Sequence, residues 1–125
     1  MVAGTFDIVH PGHLHFFEQA KRYGDHLSVV VAHDDRSQKR LKFNQQERCW
    51  ALDVLSMVDT VVKGNDTSDI FSILQMVEPH IICLGYDQKI NEEDLVKYIE
   101  KNGLDIKVVR CKAHLPELFK SSLLK

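Results

Sequence analysis

Short apolar runs that alternate with amphipathic segments constrain the fold of this chain more than any other feature. The clearest run, residues 27–32, consists mainly of Leu, Val and Ala, which suits a strand buried on both faces. Strands that alternate with helices are joined as parallel strands by right-handed crossovers. We therefore predict an α/β protein with a doubly wound, five-stranded parallel sheet. The predicted strands are residues 1–3, 27–32, 58–62, 81–84 and 106–109.

The segments between these runs have helical spacing. In the second of them, Trp50, Val54 and Leu55 form the apolar stripe that we expect to face the core. An acidic first turn and a closing Asn102-Gly103 pair mark the fourth helix. The predicted helices are residues 13–23, 45–57, 68–76, 91–101 and 118–124.

Length and composition describe one globular domain, residues 1–125, with 44% hydrophobic and 27% charged residues. The formal net charge of −2 gives no electrostatic reason to expect nucleic acid as a partner. No run approaches the roughly 18 apolar residues of a membrane span. The chain does not open with a basic stretch followed by an apolar segment, so we expect no secretory signal.

The cysteines Cys49, Cys83 and Cys111 are odd in number and form no C-x-x-C pair. Neither a disulfide framework nor a zinc cluster is expected, and a reducing cytoplasm is the predicted location. Cys83 lies inside an apolar run and is predicted to be a core residue. Cys111 follows a predicted strand end, where a thiol can be exposed.

Residues 4–13, G-T-F-D-I-V-H-P-G-H, join the first predicted strand to the first predicted helix. In an open parallel sheet, ligands bind beyond the carboxyl ends of the strands, where this turn should lie. Gly4 begins the turn, and Thr5 offers a hydroxyl and an N–H to phosphate oxygens. Phe6 is expected to shape the loop with its backbone near the nucleotide. Asp7 is expected to hold backbone N–H groups rather than act as a base.

The end of this turn has the residues of a phosphate site. Pro11 suits the first turn of a helix, and Gly12 removes a side chain where a ligand must approach closely. The helix N-terminus directs N–H groups at the ligand, and His10 and His13 can both donate to one phosphate. A chance surface turn, or a metal pair extended by His15, is the alternative. We favour phosphate binding and predict no protein metal site; His15 is expected to face solvent.

G-T-F-D followed by H-x-G-H resembles the motif pair of the nucleotidyltransferase superfamily, which includes cytidylyltransferases and adenylyltransferases. The resemblance covers residue 4 to about residue 122 and implies a Rossmann-like nucleotidyltransferase fold. The chain is similar to bacterial glycerol-3-phosphate cytidylyltransferases. It looks closer to the small archaeal FAD synthases, through the strings L-G-Y-D-Q at residues 84–88 and V-V-R at residues 108–110.

Further site residues are proposed after the second strand. Lys39, Arg40 and Lys42 form a basic cluster, which an ordinary solvated loop would also explain. The resemblance implies that a lysine of this loop contacts the triphosphate, and Lys39 and Lys42 compete for that role. It also places Arg48 at the start of a helix, where it orients phosphate or holds the loop in place.

The later strands end near the same predicted crevice. Gly85 allows a sharp turn there, and Asp87 can accept from a ribose hydroxyl or a base amine, or help hold a metal. A plain turn is the alternative. Arg110 ends the fifth predicted strand. The resemblance implies that Ser121 and Ser122, in a degraded form of a hydroxyl-rich motif, hold the β- and γ-phosphates.

The activity that the resemblance implies is transfer of AMP from ATP to FMN, giving FAD and pyrophosphate. It also implies a divalent cation, Mg²⁺, and a homodimer. Three alternatives stay open. One is a cytidylyltransferase acting on glycerol 3-phosphate or another small phosphorylated alcohol. The others are an adenylyltransferase for a different phosphate and a nucleotide-binding module without catalysis.

Overall fold

The computed structural model describes residues 1–34, 41–64, 70–85 and 92–111, with the side chains of residues 70 and 71 left aside. Strands and helices alternate throughout these ranges, as predicted. In chain order they are β1 (Val2–Gly4), α1 (Pro11–Lys21), β2 (Ser28–Val31), α2 (Gln45–Asp53), β3 (Thr60–Lys63), α3 (Ile70–Val77), β4 (Ile81–Leu84), α4 (Glu92–Lys101) and β5 (Lys107–Arg110).

The strands pair in parallel, which confirms the predicted α/β class. β2 lies between β1 and β3, with Val29 opposite both Val2 and Val61. β4 and β5 form a second parallel pair in which Ile82 is opposite Val108. The predicted single five-stranded sheet is therefore resolved as a three-stranded and a two-stranded sheet.

The two sheets meet at Met1, one residue ahead of β1. Its amino group donates to the Ile81 carbonyl over 2.7 Å, and the Cys83 N–H donates to the Met1 carbonyl over 2.9 Å. β1 pairs with β2 along its whole length but reaches β4 through this residue. The short first strand is the physical reason that the ladder divides here.

Helices cover both faces of the strands. On one face Val29, Val31 and Cys83 pack with Phe17 of α1 and Leu52 of α2. On the other face the remaining inward-facing strand residues pack against α3 and α4; this cluster includes Val30, Ile82, Leu84, Ile73, Leu74, Leu95 and Ile99. Successive residues of β2 thus serve opposite faces, which is why its sequence is an almost continuous apolar run.

The predicted apolar stripe of α2 is wrong. The side chains of Trp50 and Val54 are 62% and 81% exposed, and the helix ends at Asp53 rather than near residue 57. The buried face consists of Arg48, Cys49 and Leu52. A charged residue belongs to that face because its guanidinium has three hydrogen-bond partners, which hydrophobic periodicity does not register. Leu55 does pack against the core.

The cysteines occupy the core. Cys83 is buried as predicted, but Cys111 is also buried, at 4% exposure, and its N–H donates to the Leu84 carbonyl over 2.8 Å. The hydrogen bond with the Cys83 side chain, together with burial, raises the pKa of the Cys111 thiol. Cys111 is therefore not exposed. Pairing with β4 continues one residue beyond Arg110, the last residue of β5, and this holds Cys111 in the core.

Helix boundaries follow the local signals with small shifts. α1 begins at Pro11, two residues before the predicted start, because His10 caps it. Gly103 follows α4 with a left-handed φ of +62°, as the Asn-Gly pair indicates. No helix in the described ranges is long and apolar enough to span a bilayer. The predicted last helix, 118–124, lies outside the described residues.

Candidate functional site

The loop of residues 5–9 leaves the carboxyl end of β1 and enters α1 at the edge of the sheet where the strands end. The Ala32 N–H donates to the Gly4 carbonyl over 2.9 Å, so the ends of β1 and β2 stay paired. The residues that follow each strand thus emerge side by side. This is the edge at which parallel α/β sheets bind ligands.

His10 and His13 cap α1 through their ring nitrogens. The Nδ1 atom of His10 accepts from the Gly12 N–H over 3.0 Å, and that of His13 accepts from the His10 N–H over 3.2 Å. The two rings are stacked, with centroids 3.9 Å apart and planes 22° apart. Because each Nδ1 accepts a backbone N–H, the proton of each neutral ring lies on Nε2. Each ring then carries its N–H donor on Nε2, at the positive end of α1.

Two glycines of the motif make room for rings. A Cβ on Gly12 would lie 2.8 Å from Cε1 of His10, and a Cβ on Gly4 would lie 2.8 Å from Cζ of Phe6. Both distances are too short for a real contact. These glycines are therefore required by the side chains of the site itself, before any ligand is considered.

Phe6 shapes the loop from inside. Its φ of +52° is unusual for an aromatic residue, and its side chain is 7% exposed. The ring packs edge-on against His13 and Phe17, at centroid distances of 5.4 Å and 5.3 Å. Phe6 thus anchors the loop to α1 and supports the ring of His13 from the core side.

Asp7 holds backbone groups, which confirms its predicted structural role. Its two carboxylate oxygens accept from the N–H groups of Lys42 and Phe43, each over 3.0 Å. The Lys42 N–H, followed by that of Phe43, keeps the pKa of Asp7 below its usual range. The loop after β1 is in this way bound to the segment that leads into α2, which includes the exposed Lys42.

Arg48 joins three segments around the site. Its side chain is fully buried and donates to the carbonyls of Thr5, over 2.7 Å, and Phe43, over 3.2 Å. Its Nη2 atom also forms an ion pair with Oδ1 of Asp34 over 2.6 Å. Of the two roles that the sequence left open for Arg48, this geometry matches holding the loops in place.

Sequence reasoning missed Asp34 and Gln45. Asp34 follows β2, and it is the carboxylate partner of Arg48. Gln45, at the start of α2, donates from Nε2 to the carbonyls of Val31 and Gly64, over 3.0 Å and 2.6 Å. It thereby bridges the carboxyl ends of β2 and β3. The sequence signal that could have indicated this position is that Gln45 directly follows Asn44, the N-cap of α2.

A second cluster lies after β4. Arg110, the last residue of β5, donates to the Gly85 carbonyl over 2.7 Å and to Oε1 of Glu92 over 3.1 Å. It therefore links the turn after β4 to the first turn of α4. The structure places Gly85 and Arg110 together, as residues of neighbouring strand ends.

Four of the predicted site residues, Lys39, Asp87, Ser121 and Ser122, lie outside the described residues. Thr5 lies in the loop after β1, Lys42 donates its N–H to Asp7 of that loop, and Pro11 is the first residue of α1. His15 is half-buried and does not face solvent freely. Over the described ranges, no three His, Cys, Asp or Glu side chains converge as a metal site.

Sequence comparison identifies relatives across nearly the whole chain. The family model described as cytidylyltransferase-like matches residues 1–124. A protein named FAD synthase from Picrophilus torridus is 39% identical over 98% of this chain and 89% of its own length. An FAD synthase from Archaeoglobus profundus is 41% identical over 90% of this chain and 74% of its own length.

Structure comparison agrees with the sequence matches. A crystal structure titled as a lipopolysaccharide core biosynthesis protein from Thermoplasma volcanium superposes with a TM-score of 0.85 at 38% identity. The match covers 90% of this chain and 93% of the other. The α/β fold is accordingly of the Rossmann-like nucleotidyltransferase type. The motif geometry, the family model and these relatives lead to one conclusion: this chain belongs to the cytidylyltransferase-like family of nucleotidyltransferases.

Proposed function

We propose that this protein transfers AMP from ATP to FMN, giving FAD and pyrophosphate. The observation that carries the reaction type is the His10–His13 cap at the N-terminus of α1, in which both rings accept at Nδ1 and carry the N–H donor on Nε2. The choice of substrates rests on the relatives named FAD synthase, which match most of this chain. Neither CTP with a small phosphorylated alcohol nor a module without catalysis is favoured by those relatives.

In the proposed reaction, an oxygen of the FMN phosphate attacks the α-phosphorus of ATP. A new P–O bond forms as the bond between the α-phosphorus and the bridging oxygen to the β-phosphorus breaks. The electron pair of that bond leaves with pyrophosphate. No protein nucleophile takes part, so the chain contributes positioning and stabilisation of charge.

His10 and His13 donate from Nε2 to the α-phosphate oxygens as negative charge builds on them. Their Nδ1 atoms are held by backbone N–H groups, so the donors need no reorganisation when the reaction occurs. The first-turn N–H groups and the helix dipole act in the same direction. Gly4, Thr5, Phe6, Pro11 and Gly12 form the wall of this phosphate site.

Other residues are proposed for the outer phosphates and the nucleotide. Lys39 or Lys42 neutralises the β- and γ-phosphates, helped by Ser121 and Ser122. Arg48 acts on phosphate indirectly, by holding Thr5 and Phe43. Gly85, Asp87 and Arg110 hold the nucleoside; the contact of Arg110 with the Gly85 carbonyl supports this grouping.

Mg²⁺ is proposed as the divalent cation. The donor set near the loop contains Asp7, which accepts two N–H groups, and Asp34, which pairs with Arg48. Mg²⁺ usually keeps several waters and binds to substrate phosphates with one or two carboxylates. Because both carboxylates already have partners, the cation would be held mainly by the substrate phosphates and water. Its chemistry there would be to neutralise phosphate charge.

The wider setting is proposed as follows. The whole chain, 1–125, acts as one domain, and the two sheets work as one doubly wound five-stranded sheet joined at Met1. The hydrogen bonds of Met1 with Ile81 and Cys83 support that continuity. The protein is proposed to act as a homodimer in the cytoplasm, without nucleic acid or membrane partners.

Pyrophosphate release by purified protein with Mg²⁺ tests this function. ATP and CTP are each combined with FMN or glycerol 3-phosphate, and FAD is detected by chromatography. Release only with ATP and FMN, with equivalent FAD, is expected. Release only with CTP and glycerol 3-phosphate would keep the mechanism and reject the substrates, and binding of ATP without release would reject catalysis.

A further inference from the structure

Two large apolar side chains are exposed where the loop after β1 meets the segment before α2. Ile8 is 53% exposed and Phe43 is 43% exposed. They flank the hydrogen bond from the Phe43 N–H to the carboxylate of Asp7, the residue before Ile8. Solvated apolar surface in one corner, next to fixed polar groups, is the composition of a ligand-binding surface.

The backbone of Phe43 is held from both sides. Its N–H donates to Asp7 over 3.0 Å, and its carbonyl accepts from Nε of the buried Arg48 over 3.2 Å. An exposed ring on a fixed backbone loses little freedom when a ligand covers it. Such preorganisation favours binding, because little ordering is needed at the moment of contact.

The side chain of Phe43 has no evident role in stabilising the fold. It precedes Asn44, the N-cap of α2, and an apolar residue at this position usually packs against the fourth helical residue. That residue is Arg48, which instead donates to the Phe43 carbonyl. Asn44 and Glu47 complete the capping box by themselves. Neither core cluster of the described residues includes Phe43 or Ile8.

The pair lies near the proposed centre of transfer. Ile8 precedes His10 by two residues, so their Cα atoms are at most about 7 Å apart. Phe43 is bonded to Asp7, the neighbour of Ile8. An acceptor whose phosphate reaches the histidines would therefore bring the rest of its structure over this corner.

We propose that Ile8 and Phe43 form the platform that binds the isoalloxazine ring of FMN, with the ribityl chain leading its phosphate to His10 and His13. The proposal deepens the proposed function and rests on it. A planar heteroaromatic ring with an apolar edge suits stacking on Phe43 and contact with Ile8. The platform would thus select the acceptor, while the histidines act on the nucleotide.

The test combines steady-state kinetics with binding of riboflavin, which has the ring but no phosphate. In Phe43→Ala, KM for FMN should rise about tenfold, the usual range for one lost aromatic stack, with KM for ATP unchanged. Phe43→Tyr should retain the wild-type KM for FMN, and Phe43→Leu should not. Quenching of riboflavin fluorescence should weaken in parallel. Trp50→Ala, which removes another exposed aromatic ring, from α2, is the control.

The outcomes separate the platform from the proposed function. FAD formation with an unchanged KM for FMN in folded Phe43→Ala would reject the platform and leave the function intact. Riboflavin binding that depends on Phe43, in a protein that makes no FAD, would support the platform and reject the function. Absence of both FAD formation and riboflavin binding in the wild type would overturn both. Ile8→Ala gives a second variant if Phe43→Ala does not fold.

Discussion

The guanidinium of Arg48 donates to the carbonyl oxygen of Thr5 over 2.7 Å, which ties the first turn of the motif to a helix that begins forty residues later. The contact is partly buried, and the Arg48 side chain itself has no exposed surface. Breaking it should release the loop that carries His10 and His13. The site is therefore as much a product of α2 as of the motif itself.

Arg48→Ala should lower the free energy of unfolding by about 2–3 kcal/mol, because two carbonyls lose a charged donor and Asp34 loses its partner. The half-exposed Asp34 regains water, which keeps the cost below that of a fully buried pair. Urea unfolding measures the change. Arg22→Ala, at an exposed pair with Glu18, should cost less than about 0.5 kcal/mol. An equal loss of unfolding free energy in both variants would contradict the role of Arg48 in holding the loops in place.

His10→Ala and His13→Ala should each lower kcat by roughly 10²- to 10³-fold, the size of one lost transition-state donor. Loss of the cap at His10 should also cost about 1 kcal/mol of stability. Both variants should remain folded by circular dichroism. His80→Ala, at an exposed histidine before β4, is the control. A normal rate in either folded variant would refute the role.

Gly12→Ala should separate activity from stability. Its new methyl group would displace the His10 ring, since the Cβ position lies 2.8 Å from Cε1, and kcat should fall about 10²-fold. Alanine is a better helix former than glycine, so the melting temperature should change little. Gly24→Ala, where nothing lies within 4 Å, should leave kcat unchanged. A fully active Gly12→Ala enzyme would mean that the ring position is not critical.

The bond of Asp7 to residues 42 and 43 should depend on pH. Because the N–H of Lys42 lowers the pKa of Asp7, the ionised form stabilises the folded loop above the ordinary carboxyl range. That stabilisation should be lost as pH falls below about 4, through the lowered pKa. NMR should show the amide signals of Lys42 and Phe43 moving together in this range. Asp7→Asn should abolish the movement, and Asp105→Asn, at an exposed residue, should not.

Local patterns predicted the parts of the molecule that depend on neighbouring residues. Val29, Val30 and Val31 marked a strand buried on both faces, and the Asn102-Gly103 pair marked the end of α4. The loop between β1 and α1, which stays a predicted phosphate site, was predicted from residues 4–13, with His10, Gly12 and His13 at its end. Each of these features requires particular residue types within a few positions, so the sequence carries the information directly.

Which face of α2 is buried could be known only from the tertiary structure. The apolar residues Trp50 and Val54 pointed to one face, but the helix presents the opposite side to the core. The reason is that Arg48 bonds to the nearby Phe43 carbonyl and to two partners from other segments, the Thr5 carbonyl and the Asp34 carboxylate. These bonds outweigh the burial of two apolar side chains. Burial of Cys111 has a similar origin, because it depends on pairing with β4.

The sequence by itself determined the order of strands and helices and the loop between β1 and α1 that is proposed as the phosphate site, because these follow from local spacing and side-chain chemistry. Only the tertiary structure decided how Asp7, Arg48 and Gln45 join separate segments, and why Phe43 is exposed beside the loop. Such contacts form between residues far apart in the chain. Their partners are chosen by packing in three dimensions, which no local pattern records.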